Sequence, residues 1–337
     1  MKKRILKTKL GRDIEFSELG FGGAAIGNLN RALPDQECYA TVQTALDSGV
    51  SYFDTAPMYG YGLSENRMGV VLENKPRDSF VFSTKIGRLL NPCTNNEDDG
   101  GVFVDVPKVN IAFDYSYDGT MRSIEDSCRR LGFDSIDIIY IHDVDIFTHG
   151  SVEASERRIQ EAMTGGYLAL DELRKAGVIK AIGAGVNNWE TCLRLTELGQ
   201  FDCFLLAGRY TLLEQEALDV FLPICERENI GIVVGGPYNS GILATGGVPG
   251  AKYNYTDAPQ DILDRVTKIQ KVCLSHDVPL ANAALAFPLL HPCVVSVIPG
   301  GQSVDEVMRN RAMMDVKIPM SLWSDLKSEG LLHQNAP

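Results

Sequence analysis

The chain has 337 residues, with 32 Lys and Arg against 44 Asp and Glu, so its formal net charge is −12. This charge argues against a protein that binds nucleic acid or an anionic membrane surface, because both need a basic face. Its 45% hydrophobic and 23% charged residues are typical of a globular protein. A chain of this length is large enough for a buried active site without disulfides.

The N-terminal segment is basic but has no apolar stretch before Gly11 and Asp13, so we expect no signal peptide. The longest apolar stretch, 279–290, is too short for a transmembrane helix and is interrupted by Asn282 and Pro288. The eight cysteines include no C-x-x-C pair, which predicts free thiols in a reduced, cytoplasmic protein. We predict no metal site.

Short apolar segments alternate along the chain with longer amphipathic ones, and they are nearly continuous, as parallel strands buried on both faces are. The predicted strands are 19–23, 51–56, 80–87, 136–143, 179–186, 201–208, 230–236 and 294–300. The predicted helices are 35–48, 64–74, 118–131, 154–176, 189–198, 214–228, 260–276 and 303–314. Eight strands, each followed by a helix, predict a (β/α)8 barrel.

Two kinds of local signal support these elements. Several predicted helices end at a glycine, the common residue at a helix C-terminus, and Ser64-Glu65 predicts the N-terminal cap of the second helix. A doubly wound open sheet is the alternative fold. The glycines of 19–27 lack its fingerprint spacing, and the chain has no P-loop.

Three connecting segments have predicted roles. Residues 4–16 resemble a hairpin with its turn at 10–13, which we expect to close the bottom of the barrel. The loops 88–117 and 237–259 follow the third and seventh strands and exceed the usual connection length, which is typical of functional lids. We expect them to form the substrate wall with Phe103, Phe113, Tyr115, Tyr117, Tyr238, Tyr253 and Tyr255.

Four polar residues lie where predicted strands end. Asp54, Lys85 and His142 close three of the strands, and Tyr59 follows in the loop after the first of them. Each alone has a simple structural interpretation, such as a helix cap or a buried histidine. Together they are harder to explain in that way, because an Asp and a Lys among apolar strands are costly unless they are paired. Since all four follow carboxyl ends of strands, we expect them on one rim.

These residue types point to acid–base chemistry. A tyrosine hydroxyl has a reference pKa of about 10. We expect the Lys85 ammonium to favour the phenolate and to bring the pKa of Tyr59 closer to neutral pH. We also expect the Asp54 carboxylate to keep Lys85 charged and oriented. A neutral His142 can donate a hydrogen bond that orients a carbonyl or hydroxyl oxygen.

The motifs around these residues resemble the aldo-keto reductase family. F-D-T-A-x-x-Y-G at 53–60, S-T-K-I-G at 83–87 and Y-I-H-D at 140–143 match its segments around Asp, Tyr, Lys and His. G-V-N-N-W at 185–189 and V-I-P-G at 297–300 are similar to its cofactor-binding segments. The resemblance covers nearly the whole chain in order, and the four residues in this context are a specific signal.

The resemblance implies a single TIM-barrel domain over residues 1–337 that binds NAD(P)H across its carboxyl face. It implies that Tyr59 is the general acid/base, that Lys85 and Asp54 tune it, and that His142 orients the substrate oxygen. Hydride would pass between the nicotinamide and the substrate carbon. The cofactor-binding residues that it implies are Gly22, Asn187, Asn188, Gly235, Pro237, Gly241, Leu243, Pro299, Gly300, Gly301, Gln302, Glu306, Arg309 and Asn310.

The chain departs from the common family pattern at three cofactor contacts. The usual Ser-Asn pair after the fifth strand is Asn187-Asn188, whose amides still offer donors and acceptors. Ala207 stands where a Gln is usual. Gly235 stands where an aromatic residue often stacks on the nicotinamide, so either the backbone or Tyr238 would contact that ring.

Segments 207–215 and 235–246 resemble a subgroup of sugar 1-dehydrogenases of the D-threo-aldose and L-fucose type, together with pyridoxal 4-dehydrogenases. This implies NAD-dependent oxidation of a cyclic aldose hemiacetal to its lactone, with substrate contacts from Tyr59, His142 and Tyr238. The alternatives are oxidation of pyridoxal to 4-pyridoxolactone, a general aldehyde reductase, and a non-enzymatic, nicotinamide-sensing partner subunit.

The end of the barrel carries the signal for cofactor preference. In NADPH-selective relatives a Lys just after V-I-P and an Arg a few residues on hold the 2′-phosphate, and here Gly300 and Glu306 stand at those positions. A carboxylate repels a phosphate but accepts a hydrogen bond from a ribose hydroxyl. Arg309, Gln302 and Ser303 are alternative donors to a phosphate. We expect NAD to be preferred, with NADP as the weaker alternative.

Overall fold

The computed structural model describes residues 1–94 and 101–337. In these ranges the strands are β1 (Lys3–Leu6), β2 (Ile14–Ser17), β3 (Phe21–Gly22), β4 (Tyr52–Asp54), β5 (Val81–Ile86), β6 (Arg88–Pro92), β7 (Val109–Phe113), β8 (Ile138–His142), β9 (Ala181–Val186), β10 (Cys203–Ala207), β11 (Gly231–Gly235), β12 (Lys252–Tyr253), β13 (Thr256–Asp257) and β14 (Val294–Ile298). The helices are α1 (Asp35–Asp47), α2 (Leu63–Leu72), α3 (Tyr117–Leu131), α4 (Ile146–His149), α5 (Val152–Glu161), α6 (Tyr167–Ala176), α7 (Trp189–Leu198), α8 (Phe221–Glu228), α9 (Ile242–Thr245), α10 (Gln260–Ser275), α11 (Leu280–Ala286), α12 (Val304–Met313) and α13 (Met320–Ser328).

A parallel sheet of eight strands forms the centre of the fold, in the order β14-β11-β10-β9-β8-β5-β4-β3. Parallel bridges join Leu19 to Val297 and Gly22 to Gly300, so the first strand lies beside the last. The sheet is therefore a nearly closed barrel with helices between its strands, and the predicted (β/α)8 fold is confirmed.

The predicted hairpin is β1 and β2, which pair antiparallel with Lys3 opposite Ser17. Its apolar side chains, such as Leu6 and Phe16, pack with Tyr52 inside the barrel, and the Phe16 and Tyr52 rings meet edge to face at 4.8 Å. Edge-to-face contact is a favoured aromatic geometry. Because this packing lies where the barrel strands begin, the hairpin closes the bottom and the opposite rim carries the strand ends.

The predicted helices correspond to observed ones with three differences. The segment 214–228 has a short 3₁₀ helix at Glu216–Leu218 and is α-helical only from Phe221, because Pro223 is tolerated in a first turn but not deeper in a helix. Helix 154–176 is α5 and α6 joined by the π-helical segment Ala162–Gly166. The helices α4, α9, α11 and α13 were not predicted; in α11 nearly all residues are buried, so its sequence has no amphipathic period.

The predicted cap of the second helix is wrong. The helix α2 begins at Leu63 after Gly62, with no side-chain cap. Ser64 instead donates to the carbonyl of Gly23 at 2.8 Å, which fastens α2 to the barrel. Buried Glu65 accepts hydrogen bonds from Thr84 and Arg130. The Ser64 and Glu65 side chains therefore point into the barrel, where they cannot cap the exposed N–H groups of the helix.

The two long loops have secondary structure of their own. β6 and β7 form an antiparallel hairpin in the first, with Arg88 opposite Phe113. α9 and the hairpin of β12 and β13 lie in the second, and Tyr253 pairs with Thr256. Part of the first loop, 95–100, lies outside the described residues. Both loops leave carboxyl ends of barrel strands, as predicted.

Three further observations concern the described ranges alone. No single helix there is long and apolar enough to cross a membrane, and Gln260–Ser275 with Leu280–Leu290 meets that test only as a pair bent by 96°. No group of three or more His, Cys, Asp or Glu in those ranges is arranged to hold a metal ion. The eight cysteines are free thiols.

Candidate active site

A buried ion pair lies at the carboxyl ends of β4 and β5. The Lys85 ammonium is 2.7 Å from an Asp54 carboxylate oxygen, and the two side chains are 1% and 2% exposed. Lys85 also donates to the carbonyl of Thr55 at 2.8 Å, and Ser83 donates to Asp54 at 2.6 Å. Burial raises the pKa of Asp54, while Lys85 and Ser83 oppose that rise. The pair is thus satisfied without water, as a buried pair must be.

A chain of hydroxyl groups runs from this pair into the barrel. Ser83 lies 3.0 Å from the Tyr52 hydroxyl, which lies 3.2 Å from the Tyr140 hydroxyl. The Cys203 thiol contacts Tyr140 from the next layer at 3.7 Å. Buried hydroxyls are stable only with such partners. The chain holds Ser83, and through it the Asp54 carboxylate, in one orientation.

Tyr59 is held above the pair by a tight loop. Its N–H donates to the carbonyl of Ala56. The next residue, Gly60, has φ 63, and a Cβ there would lie 2.3 Å from the Gly27 carbonyl oxygen. Only glycine fits that approach. The Lys85 ammonium lies 4.8 Å from the centroid of the half-buried Tyr59 ring. The sequence therefore brings the loop tyrosine onto the buried pair.

Two further rings flank Tyr59. The His142 ring meets it edge to face, with centroids 5.9 Å apart, and the Phe103 ring lies 6.2 Å away. Asp54, Tyr59, Lys85 and His142 thus share one rim, at or just after the ends of β4, β5 and β8. The sequence prediction that these four side chains come together is matched by this geometry.

The pKa of Tyr59 is raised well above its usual value. Burial is the largest cause, Asp54, Asp143 and Tyr255 add to it, and Arg88 opposes it. This direction is opposite to the one expected from Lys85, whose charge is largely neutralised by Asp54. A phenol that keeps its proton is suited to donate to a carbonyl oxygen, and it acts as a base only where positive charge is added nearby.

His142 is held neutral and in a fixed orientation. Burial lowers its pKa well below the usual value, and the cations Arg88 and Lys85 lower it further. Arg88 lies 3.1 Å from the ring atom Nδ1 and donates to Asp143 at 2.6 Å. Sequence reasoning missed both Arg88 and Asp143. The signal was present, because Arg88 directly follows the S-T-K-I-G motif and Asp143 is the last residue of the Y-I-H-D motif.

The cofactor residues implied by the resemblance lie on the neighbouring part of the same rim. Asn187 and Asn188 follow β9, Gly235 ends β11, and Gly300 follows β14. Strands β9, β10, β11 and β14 are consecutive in the barrel. Asn187 donates to Asp143 and Asp145, and Asn188 accepts from the Phe147 N–H. The structure thus places these residues in one band next to the tetrad.

The exposed part of this band consists largely of backbone. Gly236 and Gly300 are exposed, whereas Pro237, Pro299 and Gly301 are buried. Gly22 pairs with Gly300 where the barrel closes, and a Cβ at Gly22 would lie 3.1 Å from the Ile298 carbonyl oxygen. Gly235 and Gly236 leave a surface without side chains where an aromatic residue was expected. The backbone is therefore the candidate for contact with a planar ring.

Tyr238 lies away from the tetrad. Its hydroxyl donates to Asn310 on α12 at 2.8 Å, and it also contacts Met313. Its backbone carbonyl accepts from the N–H groups of Gly241 and Leu243 in the turn before α9. Tyr238 therefore fixes the packing of α9 and α12 instead of covering Tyr59. The structure does not bring Tyr238 together with the other two expected substrate contacts.

The N-terminus of α12 is capped by its own side chains. Ser303 accepts from the Glu306 N–H at 3.3 Å, and a Glu306 oxygen accepts from the Gln302 N–H at 2.8 Å. This is a variant of the capping box, in which the Glu side chain accepts from the residue before the cap instead of from the cap itself. The Gln302 amide donates to the Leu29 carbonyl, and Arg309 is exposed. Glu306 therefore places a carboxylate in the first turn of α12.

The loop aromatics fall into two groups. Phe103 and Tyr255 lie near Tyr59, and Tyr255 contributes to the raised pKa of that tyrosine. The others serve the scaffold: Phe113 stacks on Arg88, Tyr115 donates to the His142 carbonyl, Tyr117 donates to Glu172, and Tyr253 bonds Glu214. Three hydrogen bonds hold the β12–β13 hairpin over the rim. The Tyr253 hydroxyl donates to Glu214, Arg209 donates to Asn254, and the Tyr255 N–H donates to Ser240.

This fold and this rim are those of an oxidoreductase barrel, and comparison with known proteins identifies the family. Residues 18–329 match the model of the aldo/keto reductase family, and the chain belongs to that family.

Its relatives include a pyridoxal 4-dehydrogenase from Microbacterium luteolum, 40% identical over 97% of this chain and 98% of the relative. A D-threo-aldose 1-dehydrogenase from a Pseudomonas species is 39% identical over 93% and 94%. The holo form of an aldo-keto reductase from Bacillus halodurans superposes with a TM-score of 0.76, at 24% identity over both full chains.

A Klebsiella pneumoniae aldo-keto reductase solved with NADPH gives a TM-score of 0.67 at 20% identity over 99% of this chain and 97% of the other. These structures establish the shared fold. The protein is therefore an aldo-keto reductase family oxidoreductase, and its named relatives are dehydrogenases.

Proposed function

We propose that the protein is an NAD-dependent dehydrogenase that oxidises the cyclic hemiacetal of an aldose, of the L-fucose or D-threo-aldose type, to its lactone. The observation that carries this proposal is the assembled set of Tyr59, the buried Asp54–Lys85 pair and neutral His142 on one rim. The relative named D-threo-aldose 1-dehydrogenase supports the substrate class. We also propose that residues 1–337 form a single domain.

In this mechanism the protein moves one proton and holds one oxygen. Tyr59 first releases its own proton to solvent and, as the phenolate, takes the proton from the anomeric hydroxyl; in the reverse reaction the phenol donates it. The neutral His142 donates a hydrogen bond to the same oxygen, which fixes the carbon that loses hydride. Lys85, held by Asp54 with its ammonium 4.8 Å from the Tyr59 ring centroid, keeps part of its favourable effect on the phenolate, and the oxidised nicotinamide, when bound, would add the further positive charge that Tyr59 needs to act as a base.

The cofactor contacts proposed for this chain use amides and backbone. Asn187 and Asn188 would hold the carboxamide of the nicotinamide, and Gly235–Gly236 would pack on its ring. The remaining residues after β14 and on α12 would hold the adenosine end. When bound, the nicotinamide supplies the two-electron acceptor for hydride. These residues fit this group, because Gly236 exposes backbone with no side chain to fill the space and the half-buried Asn187 and Asn188 side chains offer polar amide atoms.

NAD is proposed as the preferred cofactor because of the charges at α12. Glu306 lies at the position where a cation would hold the 2′-phosphate, and Gly300 adds no charge there. A carboxylate near a phosphate is repulsive, whereas it can accept a hydrogen bond from the ribose hydroxyl of NAD. We expect kcat/KM with NAD to exceed that with NADP by at least about tenfold, the ratio given by about 1.4 kcal/mol.

The second candidate is the oxidation of pyridoxal to 4-pyridoxolactone. The relative at 40% identity is named for pyridoxal, and pyridoxal also forms a cyclic hemiacetal. The same tetrad would serve both reactions, because each removes hydride from a hemiacetal carbon. A general aldehyde reductase would use the phenol of Tyr59 as the donor, and a nicotinamide-sensing subunit would bind cofactor without turnover.

A substrate screen tests the proposal. Purified protein is mixed with NAD and with L-fucose, several other aldoses or pyridoxal, and the absorbance of the reduced nicotinamide is followed. Mass spectrometry identifies the lactone. We expect turnover with an aldose at a kcat/KM above that for pyridoxal. Faster turnover of pyridoxal would support the second candidate. Reduction of simple aldehydes with NADPH but no oxidation of either hemiacetal would contradict both.

A further inference from the structure

Arg88 makes contacts that the roles of the tetrad do not explain. It is the first residue of β6, and its side chain is 7% exposed. Its Nη1 atom lies 3.1 Å from His142 Nδ1 and 2.6 Å from a carboxylate oxygen of Asp143. A buried guanidinium is costly unless its donors are used. Here one nitrogen donates to both the histidine and the carboxylate.

This contact determines the tautomer of His142. A guanidinium has only donors, so the Nδ1 atom that faces it must accept and carry no proton. A neutral imidazole has one N–H group, which must then be on Nε2. The Nε2 atom lies 3.3 Å from the carboxylate of Asp143. The single proton of the ring is therefore on Nε2, the atom proposed to donate to a substrate oxygen.

The surrounding backbone is built to make this contact. Gly87 has φ 110, and a Cβ there would lie 2.1 Å from the Tyr115 ring, so only glycine allows the chain to turn from β5 into Arg88 at this point. The Phe113 ring lies 4.9 Å from the guanidinium carbon and covers it. The position of Arg88 therefore depends on three other residues, namely Gly87, Phe113 and Tyr115.

Asp143 is held in an uncommon conformation. Its φ is 49, in the left-handed region that residues other than glycine rarely adopt. Its N–H donates to the Gly185 carbonyl at 2.9 Å, and the Tyr115 hydroxyl donates to the preceding carbonyl of His142 at 2.6 Å. These bonds turn its carboxylate toward Arg88. The other carboxylate oxygen accepts from the Asn187 amide at 3.3 Å.

We propose that Arg88 is a positioning residue that fixes His142 in its neutral Nε2–H form, and that Asp143 links this histidine to the Asn187 amide on the neighbouring part of the rim. The inference rests on the proposed role of His142 as a donor to the substrate oxygen. Through Asp143, the orientation of His142 depends on that of Asn187. One network thus aligns the substrate donor with the proposed holder of the nicotinamide carboxamide.

The charged groups that face His142 give the network a pH signature. Arg88 from β6 and Lys85 from β5 disfavour protonation of the ring, as burial does. The Asp143 carboxylate contacts both Arg88 and the Nε2 atom of the ring. The Tyr59 ring meets the histidine edge to face, and the Tyr115 hydroxyl donates to the His142 backbone carbonyl. Replacing Arg88 by a neutral residue removes one cation and leaves Asp143 facing the ring. The pKa of His142 then rises, and the ring gains a proton at a higher pH.

Histidine NMR tests the tautomer directly and needs no substrate. Long-range ¹H–¹⁵N spectra of the full chain distinguish the two neutral tautomers, and the His142→Gln variant assigns the signal. We expect wild-type His142 to show a protonated Nε2 and a bare Nδ1, and to remain neutral at a pH where an ordinary histidine has gained its second proton. A protonated Nδ1 in the wild-type protein would overturn the proposal even if every variant failed to fold.

Three variants test the role of the charge. Arg88→Gln should show His142 gaining a proton at higher pH than wild type, and Arg88→Lys should restore most of the wild-type titration because it keeps a cation. Arg158→Gln is the matched control, since Arg158 lies 5.4 Å from the same Phe113 ring but pairs with Glu161 at 2.7 Å. Identical titrations in wild type and Arg88→Gln would overturn the proposal.

Steady-state kinetics with any substrate that the screen identifies test the functional role of Arg88. Arg88→Gln should lose roughly 10–100-fold in kcat, the range expected for one oriented hydrogen bond, and its acid limb should move to higher pH. Cofactor affinity should fall only a few-fold. A uniform loss with an unchanged pH profile would indicate a structural role alone and would contradict the proposal. If no substrate is found, the proposed function fails while the NMR result still stands.

Discussion

The two parts of the barrel rim, the ends of β4, β5 and β8 and the ends of β9, β11 and β14, differ in the residues that they present. At the ends of β4, β5 and β8, charged side chains are almost fully buried and each has defined partners, as in the Asp54–Lys85 pair. At the ends of β9, β11 and β14, the rim presents half-buried amides and exposed glycine backbone. The first part is arranged for proton transfer. The second is a surface with few side chains, on which a large planar cofactor can lie.

The difference shows what constrains each part. A buried charge has few satisfactory environments, so Asp54, Lys85 and Ser83 must be in place together. Residues at the edge of the rim have alternatives, because water or a neighbouring backbone group can satisfy them. Glu306 illustrates this freedom, since it accepts from the Gln302 N–H. We therefore expect large effects from changes in the first part and smaller, more selective effects from changes in the second.

The largest expected effect comes from Tyr59→Phe. Loss of the proposed acid/base should lower kcat by roughly 10²–10⁴-fold, the usual contribution of a positioned proton-transfer group. The binding of nicotinamide cofactor should be nearly unchanged, since Tyr59 belongs to the proton-transfer part of the rim. Steady-state kinetics and a fluorescence titration with reduced cofactor measure the two. Turnover within a few-fold of wild type would remove Tyr59 from its assigned role.

Lys85→Met should destabilise the fold as well as remove activity. It leaves the Asp54 carboxylate buried without its cation, which typically costs about 3–5 kcal/mol. The pKa of Asp54, already raised by burial, should rise further. A raised pKa in the folded protein means that folding favours the protonated acid, so the loss should be greatest at neutral pH and smaller at acid pH.

Urea unfolding of Lys85→Met and wild type at two pH values measures this difference. Lys252→Met is the control, because Lys252 forms an exposed pair with Asp257, and such pairs contribute about 0–1 kcal/mol. A loss for Lys85→Met that is independent of pH would show that Asp54 is not the group left unpaired.

A smaller and more selective effect is expected from Glu306→Gln. Neutralising this carboxylate should raise kcat/KM with NADP relative to NAD by about tenfold, since repulsion of the 2′-phosphate is removed. The amide oxygen of Gln can still accept from the Gln302 N–H, so α12 should remain folded. Asp305→Asn is the matched control, because Asp305 is also acidic and in the first turn of α12. Equal shifts in both variants would indicate a general charge effect.

The smallest effect is expected from Tyr255→Ala at the tip of the β12–β13 hairpin. Tyr255 lies near enough to affect the pKa of Tyr59, and an aromatic face suits the apolar side of a sugar ring. We expect KM for the substrate to rise several-fold while KM for NAD changes little. Tyr117→Ala is the control, because Tyr117 is bonded to Glu172 on the outer helices. Equal increases in both KM values would make the hairpin mainly a cofactor clamp.

The sequence predicted the parts of the molecule where burial restricts which residue types and partners are possible. Apolar strands, and the costly charges of Asp54 and Lys85 at their ends, predicted the barrel and the meeting of the tetrad. It did not predict α11, whose apolar residues face the core on all sides and give no period. Nor did it predict the contact of Arg88 with His142, which depends on the hairpin of β6 and β7 folding back.

Two errors have a physical origin in competing partners. Ser64 was interpreted as a helix cap, yet its hydroxyl serves Gly23 inside the barrel. The net direction of the pKa of Tyr59 was expected to be downward, because Lys85 was considered without the Asp54 that neutralises it and without burial. In each case the deciding partner is distant in sequence.

The most direct test of the account is to follow the hydrogen that the substrate loses. An aldose deuterated at its anomeric carbon is incubated with NAD and the wild-type protein, and mass spectrometry measures the label in the reduced cofactor and identifies the sugar product. The account predicts one deuterium in the reduced nicotinamide for each lactone formed. With Tyr59→Phe, labelled cofactor should form only at the low residual rate of that variant. Reduced cofactor without the label, or lactone without reduced cofactor, would contradict hydride transfer on this rim.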